Sequence, residues 1–300
     1  LQKTARDNPL AAVAAAAPAA AAAPAVARGL KLTTAFLASL RTSKRHGRID
    51  GYNDLHNKEE ADDRNDQYAD LVDSYYDLAT EFYEWGWGAC FHFADRRGRE
   101  TFAQSLLRHE YYLASRLALK AGDCVLDCGC GIGGPARNIA RFTRAQVTGI
   151  TINQFQVDRG NALCASEGVA HLAKSVQGDF MAQPFPEASF DGVYAIEATC
   201  HAPDRHGVYS EIYRVLKPGG RLAFSAWAAP PATEGFDLVL GAVTAAGNPS
   251  VPLPAGPPFF QYADPATVRR ALAKAGFVDV DVTTVDSMEW HVYSADELYE

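Results

Sequence analysis

No two cysteines stand at a CxxC spacing in this 300-residue chain. The six, Cys90, Cys124, Cys128, Cys130, Cys164 and Cys200, are scattered, which argues against zinc and reads as free thiols in a reducing compartment. Outside the first residues there is no run of 18 strongly apolar residues, so the body is not expected to span a bilayer. A serine-nucleophile motif and a solenoid repeat are missing too. Bases are scarce in the body: residues 49–300 carry 20 Lys/Arg against 35 acids, a surplus that repels phosphates and argues against a nucleic-acid-binding face.

With 48% hydrophobic and 21% charged residues, the mix is globular, and the length predicts about two domains or one large domain with additions. Residues 1–48 invert the charge, with 8 Lys/Arg against the single acid Asp7. Within 11–27, 13 of 17 residues are Ala, interrupted by Pro18 and Pro24, too weakly apolar for a membrane helix. This leader reads as an addressing segment, a removed pro-segment or a disordered linker. The chain starts at Leu1 and stops at Glu300 soon after an apparent strand, so its carboxyl end is expected to be incomplete.

Residues 54–67 are strongly charged and predict a solvated helix. Residues 75–93, YYDLATEFYEWGWGACFHF, hold eight aromatics. A helical period covers their first half, and Gly86 and Gly88 are expected to break it. A helix over about 100–120 follows. From there strands and helices alternate: strands at 124–129, 146–150, 175–180, 191–198 and 221–227, helices at 135–142, 153–167 and 204–216, and a KPGG turn at 217–220. Helix 265–275 precedes VDVDVTTV (278–285), which alternates as a half-buried strand. The pattern predicts a doubly wound, mostly parallel α/β sheet.

Between the first strand and its helix lies Asp127-Cys-Gly129-Cys130-Gly131-Ile-Gly133-Gly134. Glycines there let the main chain turn tightly and approach a ligand closely. The stretch also satisfies GxGxxG, so a dinucleotide site has to be weighed beside a ligand-free turn. The second strand, however, ends in Gly149-Ile150-Thr151-Ile152-Asn153 without the acid that would hold a ribose. Asp127, two residues before the first glycine, would oppose a pyrophosphate and favour a cation. S-adenosylmethionine carries an ammonium and a sulfonium and no phosphate, so it fits better. At the end of the third strand, Asp179 can accept a bond from an exocyclic amine while Phe180 packs on a purine; Gln156 is placed to reach ribose hydroxyls.

YEWGWGACFHF (83–93), LDCGCGIGGP (126–135), YAIEATCHAP (194–203) and IYRVLKPGG (212–220), in that order, closely resemble the sterol 24-C-methyltransferases over about residues 68–220. The resemblance implies a class I, Rossmann-like methyltransferase fold, S-adenosylmethionine as cofactor and a Δ24 sterol as acceptor. It implies that the glycine loop and the IEATCHAP segment line the cofactor and that YEWGWG contacts the sterol. Analogy with the related cyclopropane-forming enzymes gives Gln156 the ribose. The organisation it implies is a leader (1–48), a helical substrate-binding cap (49–120) and a methyltransferase domain (121–300). Past Gly220 the chain departs from the family: Ser225-Ala226-Trp227 stands where Tyr-Glu-Trp is common, and 228–262 resembles a generic small-molecule methyltransferase lid. Another apolar acceptor such as a prenylated phenol, or a non-catalytic lipid-binding role, stays open at this point.

Methylating an alkene makes a tertiary carbocation, which water would trap, so the site has to be dry and still stabilise positive charge. Tyr83, Trp85, Trp87, Phe91 and Phe93 are the candidate substrate-binding aromatics. Glu84, Glu197, His92 and His201 are the candidate proton acceptors. No metal is expected, the histidines being too isolated to ligate one. A sterol acceptor implies work at a membrane face, of the endoplasmic reticulum or a lipid droplet, with organellar targeting by the leader as an alternative and a homo-oligomer as a further expectation.

Overall fold

The computed structural model describes residues 68–229 and 260–285, with isolated positions 241, 244 and 245. The leader, the charged stretch 54–67 and most of 228–262 lie outside the described residues. Among these the elements are α1 (Tyr68–Trp87), α2 (Phe102–Arg116), β1 (Cys124–Cys128), α3 (Gly134–Thr143), β2 (Gln146–Thr151), α4 (Gln154–Ser166), β3 (Ala173–Gln177), β4 (Phe190–Ile196), a 3₁₀ turn (Thr199–His201), α5 (Arg205–Val215), β5 (Leu216–Ser225) and α6 (Pro265–Lys274). No described helix is long and apolar enough to cross a membrane.

The strands form one parallel sheet in the order β3-β2-β1-β4-β5, as the alternation predicts. Side chains of successive strand residues face opposite sides, and both sides are apolar because helices cover both. Val125, Tyr194 and Ile196 face one core with α2 and α3. Leu126, Cys128, Val193 and Ala195 face the other, with α5 and α6. Ile139 in the first core and Val208 and Ile212 in the second are fully buried, each contributing about 1.5–3 kcal/mol.

Three expectations are corrected. Gly86 does not break α1, which runs on to Trp87; Gly88, at φ +86, ends it, donating its N–H to Glu84 O. The KPGG turn is part of β5, which starts at Leu216 opposite Phe190 and passes a register shift before Arg221 pairs with Gly192. VDVDVTTV is not a strand: Val280 and Val282 pack against the core of α5 and α6, so apolar alternation fixed which side chains turn inward, but no partner strand pairs with it among the described residues.

Every chemically interesting residue of the sheet lies at or beyond the carboxyl ends of its strands, where α/β sheets bind ligands. Over that edge α1 packs on α4 largely through polar contacts. Gln156 Nε2 donates to Thr80 Oγ1 at 3.1 Å, Asn153 Nδ2 to Asp77 Oδ1 at 2.8 Å, and Arg159 Nε to Glu84 Oε2 at 3.0 Å. At about 1 kcal/mol each, these hold α1 less firmly than apolar burial holds the sheet.

Candidate functional site

One cleft opens at the carboxyl edge of the sheet, with about 840 Å³ of unfilled space including open solvent at its mouth. Its floor comes from the turn after β1. Gly129, Gly131 and Gly133 have φ of +87, +52 and +70, a left-handed conformation that glycine adopts without cost. Gly129 admits nothing larger, since a Cβ would stand 2.4 Å from Ala198 Cβ.

Three of the loop's N–H groups are engaged within the protein. Gly129 N and Cys130 N both donate to Ile150 O at 3.0 Å, and Gly133 N to Cys130 O at 2.8 Å, so these donors are spent. Above them the start of α3 is covered by the Ala89 carbonyl: a Cβ on Gly134 would lie 2.1 Å from it. Asp127, at the end of β1, is 2% exposed, and its Oδ2 is buried without a hydrogen-bond partner. Burial pushes its carboxyl up to about 7; the Tyr194 hydroxyl beside it and His92 pull the other way, and Glu110 adds to the rise. A buried carboxylate oxygen without a hydrogen-bond partner, beside a loop whose Gly129, Cys130 and Gly133 N–H groups are taken by main-chain carbonyls, fits a cationic, phosphate-free group, as an amino-acid ammonium would be. The residues present therefore fit the methionine end of S-adenosylmethionine.

The remaining walls come from the next strands. After β2, Gln156 lines the cleft, its Oε1 accepting from Thr151 Oγ1 at 2.7 Å and its Nε2 bonded to Thr80. After β3 come Asp179, which accepts from Met181 N at 2.8 Å, and Phe180. After β4 come Glu197 and His201. Glu197 has φ +53, uncommon for a residue with a side chain, and its Oε1 accepts from Phe93 N at 3.0 Å. Burial raises its carboxyl to about 7, against the Phe93 N–H, the His92 charge and the Trp227 indole. His201 Nε2 lies 3.2 Å from the Tyr76 hydroxyl.

Of the expected cofactor residues, Asp127, Gly129, Cys130, Gly131, Gln156, Asp179 and Phe180 all line the cleft, and Gly133 lies behind it at the head of α3. Of the expected proton acceptors, Glu197, His92 and His201 line it; Glu84 does not, being paired with Arg159 on the α1–α4 seam. The aromatics divide. Phe91 lines the cleft, and behind it Tyr83 lies 5.4 Å away, Trp87 5.9 Å beyond Tyr83, Phe93 5.5 Å beyond Trp87 and Trp227 5.3 Å beyond Phe93. Trp85 stands apart, 54% exposed and paired with Phe82. On a helix it lies two residues from both Tyr83 and Trp87, so it faces away from that row.

Sequence reasoning missed the α1 residues Tyr68, Val72 and Tyr76, which roof the cleft. Their helical spacing was visible, but not which face α1 would turn to the sheet. It also missed Glu110, distant in sequence from His92. Contrary to the expectation of no ligand cluster, Cys90, His92 and Glu110 bring three donor atoms within 4.8 Å of one another. These donors are occupied: Asn138 Nδ2 donates to Cys90 Sγ at 3.6 Å and to Glu110 Oε2 at 2.8 Å, and His92 Nε2 faces Glu110 Oε1 at 3.1 Å.

Residues 126–224 match the family described as "Methyltransferase domain". The chain is 53% identical over 176 residues to cycloartenol-C-24-methyltransferase of Arabidopsis thaliana, covering 59% of this chain and 52% of that protein. It is 52% identical over 176 residues to sterol 24-C-methyltransferase ERG6B of Gibberella zeae, covering 59% and 46%. The chain thus spans about half the length of the curated relatives it matches. Among solved structures it is similar to the [4+2]-cyclase SpnF, with 33% identity, a TM-score of 0.50 and coverage of 52% of this chain and 59% of that one. A cyclase on the same scaffold means that the fold alone does not specify methyl transfer; the site has to.

Proposed function

We propose that this chain, a relative of the sterol 24-C-methyltransferases with a methyltransferase domain over 126–224, transfers a methyl group from S-adenosylmethionine to carbon 24 of a Δ24 sterol side chain. The observation that carries the reading is the buried Asp127 oxygen without a hydrogen-bond partner, at the carboxyl edge of the sheet in a cleft that Phe91, Phe180 and Tyr76 help to line.

Asp127 would hold the cofactor's ammonium, Gln156 its ribose, and Asp179 with Phe180 its adenine, while Gly129, Cys130 and Gly131 shape the bend beneath. Bound there, S-adenosylmethionine supplies an activated methyl group on a sulfonium. Phe91 and Tyr76 present ring faces that exclude water and stabilise a cation by about 0.5–2 kcal/mol each when desolvated. Tyr83, Trp87, Phe93 and Trp227 back Phe91 and fix its plane. Glu197, buried beside them, accepts the proton that the methylated side chain must lose; His201 would orient Tyr76. Most of the acceleration comes from holding acceptor and methyl donor in line. A sterol is membrane-resident, so the reaction would be carried out at a membrane face.

The test is radiolabelled S-adenosylmethionine offered with several Δ24 sterols and a prenylated phenol. Labelled C24-methyl sterol is the expected product. Cofactor binding without methylation of any Δ24 sterol overturns the reading. Label on the phenol alone would favour a second reading, another apolar acceptor, for which Ser225-Ala226-Trp227 speaks: Trp227 packs on Phe93 and adds to the aromatic row. Failure to bind the cofactor at all would instead point to a lipid-binding protein.

A further inference from the structure

Both ring nitrogens of His92 are engaged, and their partners fix the number of protons. Nδ1 lies 3.0 Å from Phe93 O, a carbonyl without hydrogen, so Nδ1 carries a proton. Nε2 lies 3.1 Å from Glu110 Oε1, and a proton has to stand between these atoms as well. The pair is therefore neutral as a whole, either imidazolium facing carboxylate or imidazole facing carboxylic acid. Its side chains are 2% and 0% exposed, and the second Glu110 oxygen accepts from Asn138 Nδ2 at 2.8 Å. Burial alone would lower the His92 imidazole; the hydrogen bond and charge of Glu110, helped by the Phe93 carbonyl and Glu197, raise it above its ordinary value. The imidazolium form is the one this environment favours.

The same Phe93 main chain reaches the cleft. Its carbonyl accepts from His92, and its N–H donates to Glu197 Oε1 at 3.0 Å. Glu197 is held at φ +53, a strained conformation that persists only where its surroundings impose it. We infer that His92 and Glu110 form a buried imidazolium–carboxylate pair that positions Glu197 through the Phe93 main chain and favours its ionised, proton-accepting form against burial. His92 is then a positioning residue rather than an acceptor itself. The inference deepens the proposed methyl transfer and rests on that reading for Glu197's role.

The groups around this relay do not replace it. Glu197 is also faced by Tyr76 and Cys200, whose ionisation burial suppresses, and by the Trp227 indole. His92 and Glu110 are faced by Cys90, Tyr111, Tyr194, Asp127 and His109; burial and the His92 charge push His109 down to about 4, so it stays neutral. Asp127 senses Glu110 and His92 with opposite signs, so the two charges oppose one another there. At Glu197 the His92 charge acts in the same direction as the Phe93 N–H and the Trp227 indole, against burial.

Glu110→Gln separates these effects. The amide can accept from Asn138 and donate to Nε2 of a neutral His92, keeping the hydrogen bonds while removing the imidazolium. The experiment titrates Glu197 by carbon NMR in protein labelled at the glutamate carboxyls, the signal being assigned with Glu197→Gln. The expected result is a Glu197 titration about one pH unit higher in Glu110→Gln than in the unaltered chain, with the acid limb of kcat moving alike and cofactor affinity held. His92→Gln, which cannot carry the charge, should show the same upward move should Glu110→Gln fail to fold. An unmoved Glu197 titration overturns the inference whatever the sterol assays give. A titration that moves as expected in a protein that methylates no Δ24 sterol supports the pair and overturns the proposed reaction instead.

Discussion

The glycine bend after β1 and the aromatic segment 75–93 meet where Gly134 passes under the Ala89 carbonyl and where Gly131 faces Phe91, and they carry information in opposite ways. The bend works through its backbone. Positive φ at Gly129, Gly131 and Gly133 and the approach to Ala198 are local demands that glycine alone meets without strain. The aromatic segment works through the direction of its side chains. Phe91 reaches the cleft, Tyr83, Trp87 and Phe93 stack behind it, and Trp85, a residue away from Gly86, turns to solvent. Residue type is therefore a sufficient guide in the bend and a poor one in the segment.

The contrast can be broken most sharply at the contact itself. Gly134→Ala puts a Cβ 2.1 Å from the Ala89 main-chain oxygen and 2.6 Å from its carbonyl carbon, neither of which can rotate out of the way. It should destabilise the chain by about 3 kcal/mol or more, read by thermal or denaturant unfolding, and should abolish methyl transfer even where folded protein is recovered. Asp127→Asn tests the bend's charge. It should weaken S-adenosylmethionine binding by about 1–3 kcal/mol in calorimetry, and unaltered affinity would remove Asp127 from the ammonium site.

The same carboxylate, with Glu197, sets a pH dependence whose sign can be worked out. Burial raises both to about 7, so the folded chain holds these protons more tightly than the unfolded one. The stability this linkage confers is present at low pH and is lost as pH rises through about 7. The cofactor-free chain should therefore melt at a falling temperature between roughly pH 4 and 7 on account of these groups, while the stabilisation given by added S-adenosylmethionine grows, because ionised Asp127 meets its ammonium. A cofactor-induced shift that is flat over that range would contradict the pairing.

Within the aromatic segment two substitutions should differ. Phe91→Leu keeps the bulk but removes a ring face, and should raise the barrier to turnover by about 0.5–2 kcal/mol with little change in cofactor affinity. Trp85→Leu should have the smallest effect, within about 0.5 kcal/mol of stability and with turnover nearly kept, since the indole is half exposed. Equal losses in the two variants would mean that Trp85 touches the acceptor after all.

Much of the fold was legible because strands buried on both faces and helices with caps such as Asn153 and Asp264 announce themselves locally. The VDVDVTTV segment was misread for a physical reason: alternation reports which side chains face inward, and a strand additionally needs a neighbour with free ladder groups. Asp127, Asp179 and Glu197 could be placed from sequence because each falls at or just after the end of a parallel strand. Glu84 could not, because only packing of α1 on α4 shows that Arg159 takes its carboxylate. Nor could Glu110, which the turn of α2 carries to His92 across 18 residues of chain.

The amino-acid sequence by itself determined the parallel α/β scaffold, the glycine bend and the acids at the strand ends, because each of these depends on neighbours within a few residues. Tertiary packing decided which aromatics wall the cleft, that α1 roofs it, and that His92 is tied to Glu110 and Phe93 rather than free. Those outcomes depend on the rotation and approach of whole elements, which no local spacing encodes.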